Sequence, residues 1–379
     1  MEPSSNRPTP DHLPAMLGRL DHGIGVVGAG FIVRDCHLVA YAAAGFSVVG
    51  LTSRTEATAR EVAASRGVGT VYPSVEAMLD DPRVTVVDVA VPPLEQPGVI
   101  RRVLAHPRTP RGILAQKPLA MGREEGRALV EACAGAGVRL QVNQNMRCDH
   151  SVRVLKGLLD RGDLGAPVLA TIEMRAIPHW MPWAEGGRSL STYIMSIHHL
   201  DTLRFWLGDP ARVLASTRPD PRTKFPHDDG INLVILEYAN DARASSWDDV
   251  WSGPAREGAG ADLAIRWRVE GTEGLALGTI GWPGWPARVP STIDYSTTAD
   301  LGRWHRPRWP EAWFPDAFAG TMAGLLRAIE ADAEPDISGR DHLQTLALCD
   351  AVLSAAREHR VVTFGGESGA IQPPSASRT

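Results

Sequence analysis

Between residues 24 and 142 short apolar runs alternate with segments of helical spacing. Residues 24–27 read as a buried strand, 31–44 as a helix, 47–51 as the next strand and 56–66 as a helix. Residues 84–91 are apolar on both faces, as a parallel strand covered by helices on each side must be. A helix at 98–104, a strand at 113–115, a helix at 123–136 and a strand at 140–143 complete the series. Strand–helix alternation of this kind predicts a doubly wound, Rossmann-like parallel sheet.

The pattern changes near residue 145. Runs at 168–175, 231–238 and 264–270 alternate polar and apolar positions, so one face of their sheet is wet or faces a ligand. Helical spacing returns at 152–161, 193–206, 318–330 and 339–358, and all 11 tryptophans fall from Trp180 onward. These features predict a second, α+β domain on a large, mostly antiparallel sheet. The expected organisation is a flexible segment at 1–21, a dinucleotide-binding domain at 22–144, a substrate domain at 145–365 and a disordered Pro/Ser tail at 366–379.

Charge and composition narrow the function. A net charge of −5 with no Lys/Arg block lacks the footprint of a nucleic-acid binder. No apolar leader or bilayer-length run is present, which leads to the expectation of a cytoplasmic protein with no membrane partner. Cys36, Cys133, Cys148 and Cys349 lie far apart without CxxC spacing, as free thiols in a reducing compartment would.

The chemistry-bearing residues cluster at predicted strand ends. Gly28-Ala29-Gly30-Phe31-Ile32-Val33 follows a strand and opens a helix; Gly28 permits a tight turn, and Gly30 lets the backbone approach a pyrophosphate at the helix N-terminus. Val33 replaces the third glycine of the usual pattern, implying slightly wider helix–strand packing. NAD enzymes commonly carry an acidic residue after the second strand; here Thr52-Ser53-Arg54 offers a hydroxyl and a guanidinium suited to a 2′-phosphate, which favours NADP over NAD. The expected cofactor contacts are Gly28, Gly30, Phe31, Ile32, Ser53, Arg54, Pro92, Gln116 and Lys117. Lys117, in Gln116-Lys117-Pro118, stands at the carboxyl end of a strand, where such sheets hold their ligands, and is the candidate proton carrier.

The glycine turn, Gln116-Lys117-Pro118-Leu119-Ala120, the stretch Val142-Asn143-Gln144-Asn145-Met146-Arg147, and Gly186-Gly187 leading to His198-His199-Leu200-Asp201 occur in this order. Together they resemble the Gfo/Idh/MocA oxidoreductases over roughly residues 22–365. The resemblance implies hydride transfer between a nicotinamide and a sugar or cyclitol carbon, in a cleft between the two domains, with Lys117 and His198 catalytic. It also implies a homo-oligomer, dimer or tetramer, formed through the open sheet. Two other activities stay open beside this one: glycoside cleavage by transient oxidation and elimination, as in some relatives, and sensing by a protein that kept the fold and lost catalysis.

Two departures stand out. Gln116 replaces the glutamate usual before the lysine, and Ile194 occupies the position four residues before His198 where the family carries an aspartate. Proton transfer then falls to Lys117 and His198, with Tyr193 or His199 in support. Adjacent histidines on a helix point about 100° apart, so His198 and His199 are poorly placed for one metal ion, and no metal is expected. Asp201 reads as a helix anchor, and the acidic segments 227–230 and 247–249 read equally as strand ends flanking the cleft or as turns. Asn145, Arg175, His179, Trp180, Tyr193 and His199 are the candidate substrate contacts, with Trp183 and Arg188 nearby; for this aromatic stretch a tryptophan-rich core or subunit interface is the alternative.

Overall fold

The computed structural model describes residues 8–16, 21–176, 183, 187–189, 191–221, 223, 225–250, 258, 260, 262–282 and 286–364. They form two compact units. One comprises Leu13–Cys148 and Phe314–Leu346; the other takes its described residues from Met1–His12, Asp149–Trp313 and Ala347–Thr379.

In the first unit β1 (Gly23–Val27), β2 (Val48–Thr52), β3 (Val84–Val89), β4 (Gly112–Ala115) and β5 (Arg139–Val142) form a sheet in the order β2-β1-β3-β4-β5, all neighbours parallel. Every residue of β1 and β4 is buried, which is why the sequence shows continuous apolar runs instead of alternation. Pairing of Thr52 with Val27, Val27 with Val89, Val89 with Ala115 and Ala115 with Val142 brings all five carboxyl ends into one row.

The helices are a π turn at Val33–His37 running into α1 (Leu38–Ala44), then α2 (Glu56–Arg66), α3 (Val75–Asp80), α4 (Gln96–Ala105) and α5 (Arg123–Gly135). The short α3 is absent from the pattern-based expectation. Ser74 caps it by accepting from the Ala77 N–H at 3.1 Å, and it buries Val75, Met78 and Leu79. Each such side chain contributes about 1.5–3 kcal/mol, so packing sustains a helix too short to stand alone. The unit also takes in most of the helix Trp313–Glu330. That helix is fixed on the sheet at Gly112, where a Cβ would lie 2.7 Å from Ile329 Cδ1 and 3.0 Å from Leu325 Cδ1.

In the second unit α6 (His150–Asp160) leads to β6 (Pro167–Arg175), and a π turn at Thr192–Ser196 leads into α7 (Ile197–Leu207). There follow β7 (Arg212–Arg218), β8 (Ile231–Glu237), β9 (Arg243–Asp249), β10 (Ala264–Gly271), β11 (Gly274–Ile280) and β12 (Thr292–Thr297). The helix Trp313–Glu330 is α8; α9 (Gly339–Glu358) and β13 (Val362–Thr363) close the chain. The sheet order is β12-β11-β10-β6-β9-β8-β7-β13, antiparallel except between β6 and β9. Trp206 donates to the Val152 carbonyl at 3.1 Å and packs 5.4 Å from Trp267, tying α6 and α7 to the sheet; these tryptophans are core.

Within the expected flexible segment 1–21, residues 8–16 include tethered positions. Thr9 Oγ1 lies 3.1 Å from Tyr295 Oη, and the His12 ring stacks 4.6 Å from Trp309. The tail 366–379 lies outside the described residues. No helix among the described residues is long and apolar enough to cross a membrane.

Candidate active site

The row of carboxyl ends in the parallel sheet carries the glycine turn. The Gly28 N–H donates to the Thr52 carbonyl at 2.8 Å, and at φ +125° a Cβ on Gly28 would stand 2.2 Å from the Ala90 carbonyl oxygen. The fold itself therefore requires glycine here. Gly30 differs: apart from its own neighbours in the chain, no atom lies within 4 Å of where its Cβ would be. Packing does not demand glycine at 30, and the open cradle before the helix N-terminus fits the pyrophosphate of a dinucleotide. Phe31 is exposed and Ile32 half-buried on the opening turn, while Val33 is fully buried, its Cγ2 3.6 Å from the Gly28 Cβ position. Valine thus fits at ordinary contact distance where the pattern has glycine.

Ser53 is half-buried after β2, and Arg54 is exposed with its Nη1 2.8 Å from Glu95 Oε1. An exposed pair of this kind is worth about 0–1 kcal/mol, so the guanidinium is easily redirected to a phosphate. The Pro92 carbonyl accepts from the Glu95 and Gln96 N–H groups at 2.9 and 3.1 Å and so starts α4.

Gln96 went unnoticed in the sequence, where a lone glutamine before a proline carries no signal. It is fully buried; its Nε2 donates to the carbonyls of Gln116 at 2.7 Å and Pro118 at 2.9 Å, and its Oε1 accepts from the Gln116 N–H at 2.8 Å. The clamp grips the backbone on both sides of Lys117, whose bond to Pro118 is cis. Lys117 is half-buried by exposed surface, and desolvation lowers its ammonium pKa to about 8. The Gln116 side chain, expected as a cofactor contact, instead reaches inward to His37, with its Nε2 2.6 Å from the ring Nε2.

In the antiparallel-sheet unit α7 presents His198, 4 % exposed, edge-on to Trp313 at 5.2 Å. His199 is 1 % exposed, and its Nδ1 lies 2.8 Å from Asp248 Oδ1. The other Asp248 oxygen, Oδ2, accepts from the Ser196 hydroxyl, and Asp229 accepts from the N–H groups of Ser191 at 3.2 Å and Thr192 at 2.7 Å. The two acidic segments therefore supply buried carboxylates to this helix and the turn that precedes it. Asp201 is buried, 3.9 Å from Arg204 Nη1. The Tyr193 hydroxyl donates to Asp350, so this phenol, expected at the substrate, is engaged within the unit; burial raises its pKa far above the ordinary tyrosine value.

Of the remaining substrate candidates, Arg175 lies over the Trp247 ring at 4.4 Å and 3.7 Å from Asp262, and Asn145 is buried in a 3-10 turn, Asn145–Cys148. Arg188 pairs with Asp228 at the surface. His179, Trp180 and Gly186 lie outside the described residues.

The π turn also bears on Ile194. Counting back four residues from His198 assumes an α-helix throughout, whereas Thr192–Ser196 is wound as a π turn, which changes the spacing between position 194 and His198. Ile194→Asp should accordingly not restore a carboxylate–histidine pair. We expect lowered activity or stability from a carboxylate set at a half-buried apolar position, at a cost of about 1–3 kcal/mol, read by turnover and thermal melts.

Residues 22–144 match the family described as "Oxidoreductase family, NAD-binding Rossmann fold", and residues 152–277 match its "GFO/IDH/MocA C-terminal domain". The chain belongs to the Gfo/Idh/MocA oxidoreductases. It is 28 % identical over 344 residues to the 1,5-anhydro-D-fructose reductase of Ensifer adhaerens, covering 88 % of this chain and 95 % of that one. With inositol 2-dehydrogenase 3 of Saccharopolyspora erythraea the identity is 27 % over 345 residues, covering 89 % and 94 %. Among solved structures, the Caulobacter crescentus aldose-aldose oxidoreductase complexed with glycerol superposes with a TM-score of 0.76 at 20 % identity, over 91 % of this chain and 100 % of that one. An Agrobacterium radiobacter oxidoreductase in complex with NAD+, L-tartaric acid and magnesium gives 0.75 at 20 % identity, over 90 % and 98 %. The parallel-sheet unit is thus a nicotinamide-binding Rossmann fold, and the chain is an NAD(P)-dependent dehydrogenase.

Proposed function

We propose that this dehydrogenase acts on a hydroxyl-bearing carbon of a sugar or cyclitol, with Lys117 as the group that takes or returns the hydroxyl proton. The observation that carries the assignment is the place of Lys117: on the row of strand ends that also carries the glycine turn, with Gln96 gripping the backbone on both sides of it and an ammonium whose pKa is lowered to about 8. Gly28 and Gly30, the helix opening at Phe31 and Ile32, Ser53, Arg54 and Pro92 would hold the dinucleotide, which when bound accepts or supplies the hydride. Lys117 removes the alcohol proton during oxidation and gives it back during reduction. His198 is assigned to orient the substrate hydroxyl or relay its proton, and Arg175 and Asn145 to bind further hydroxyls. A screen of sugars and inositols with NAD and NADP, followed by nicotinamide absorbance, tests the reading; no turnover with any of them would overturn it.

NADP is the cofactor we assign, on Ser53 and Arg54. Arg54→Ala should weaken NADP binding by roughly tenfold, as for loss of one phosphate contact, and leave NAD almost unchanged. Equal affinities for the two nucleotides in the wild type, measured by titration, would remove the assignment. A homo-oligomer is proposed as well, built on the sheet face where Leu233 and Ile235 stand 47 % and 49 % exposed. Light scattering reads it directly.

A further inference from the structure

Behind Lys117 lies a buried polar chain that hydride transfer does not use. His37 and Asp88 are both fully buried, with His37 Nδ1 2.5 Å from Asp88 Oδ2; the Tyr41 hydroxyl donates to the same oxygen at 2.8 Å. On the other side of the ring, His37 Nε2 faces two amide nitrogens, Gln116 Nε2 at 2.6 Å and Asn143 Nδ2 at 3.1 Å. The Thr321 hydroxyl lies 2.8 Å from Asn143 Oδ1 and 3.0 Å from the Phe318 carbonyl, with the Asn143 amide nitrogen toward the ring. Phe318 packs 5.1 Å from the ring centroid. The groups reaching His37 are therefore one carboxylate from β3, one phenol from its own helix, two amides from the ends of β4 and β5, and an aromatic ring from α8.

With both amide nitrogens toward the ring, the proton pattern follows. A carboxylate accepts, so Nδ1 carries the hydrogen; two amide N–H groups donate, so Nε2 accepts. Glutamate at 116 could not complete the pattern, because its oxygen would face the Nε2 lone pair unless a proton were placed between them.

We propose that Gln116 is a positioning residue and not a cofactor contact: its amide, held by the Asp88-oriented His37, fixes the strand end from which Lys117 projects. The departure from glutamate is then matched to the tautomer of His37. Gln96 grips the backbone of this strand end, and His37 holds its side chain. The proposal rests on the assignment of Lys117 as proton carrier, but its first test needs no substrate.

The probe is the full-length protein labelled with ¹⁵N-histidine, the His37 signals being identified by their loss in His37→Asn. The wild type should show hydrogen on Nδ1 and an acceptor at Nε2. Gln116→Glu should convert Nε2 to a donor, and Gln116→Met, which keeps volume and removes the amide, should leave Nε2 without its 116 partner. An Nε2–H signal in the wild type, or no change of the ring signals in Gln116→Glu, overturns the proposal. NADP titration forms the second arm. Positioning predicts that Gln116→Met binds nucleotide within about twofold of the wild type, whereas a cofactor contact predicts a loss of roughly tenfold or more. On a substrate that is turned over, kcat of Gln116→Met should fall roughly 10- to 100-fold with little change in the KM for nucleotide. Unchanged kcat, or a loss confined to that KM, overturns the positioning role. Absence of any sugar turnover would count against the proposed function and leave the ring signals and titration to decide this one.

Discussion

Lys117→Ala is expected to reduce turnover by roughly 10²- to 10⁴-fold while leaving nucleotide affinity largely intact, the loss associated with removing a positioned acid or base. Oxidation requires the neutral amine. Because burial lowers the Lys117 pKa to about 8, oxidative kcat/KM should rise as pH climbs through about 8 and then level, whereas reduction, which needs the ammonium, should fall over the same range. In the Ala variant this limb should vanish from the residual rate. Retention of a near-normal rate, or of the same limb, would show that another group moves the proton. The clamp by Gln96 is on backbone atoms, so the substitution leaves it in place and the variant should fold normally.

The second large effect is a contrast between the two glycines of the turn. Gly28→Ala forces a side chain into a backbone of φ +125° and places Cβ 2.2 Å from the Ala90 oxygen. Backbone strain costs about 1–3 kcal/mol and overpacking about 1–3 kcal/mol. Together they predict a fall in Tm of roughly 10 °C for a unit of this size, with nucleotide binding lost alongside. Gly30→Ala meets no atom beyond its chain neighbours within 4 Å, so its Tm should stay within about 2 °C of the wild type while NADP and NAD affinity drop by about tenfold or more. Thermal melts paired with nucleotide titration read both. If Gly30→Ala bound nucleotide normally, the pyrophosphate would not approach the turn at that point.

The contrast also shows how far a motif speaks. Both glycines were legible in the sequence, yet their reasons differ. One is demanded by the Ala90 carbonyl from the end of the neighbouring strand, and the other is left to the ligand. Likewise His198 was legible as a residue, but the turn before it was not. Thr192–Ser196 winds as a π turn, and its polar groups meet buried partners from distant segments: Asp229 holds Ser191 and Thr192, and Asp248 holds Ser196.

By itself the sequence determined the parallel sheet, the glycine turn and the place of Lys117, because a strand buried on both faces must be apolar throughout, and a tight turn beside a phosphate needs glycine wherever it occurs. Such requirements act on neighbours in the chain and leave a local imprint. Other features leave none. Strand β9 reads Arg243-Ala-Ser-Ser-Trp-Asp-Asp249 and lacks a clear apolar pattern; it is a strand because β6 and β8 pair with it, and its buried Asp248 is tolerated where α7 and its preceding turn bring His199 and Ser196. Only the tertiary structure decided that Gln116 serves His37, 79 positions away, and that Gln96 grips the lysine's strand end. A polar side chain at a buried position is stable only with its partner present, and a partner supplied by a distant segment is specified by the folded backbone and by nothing in the residues on either side.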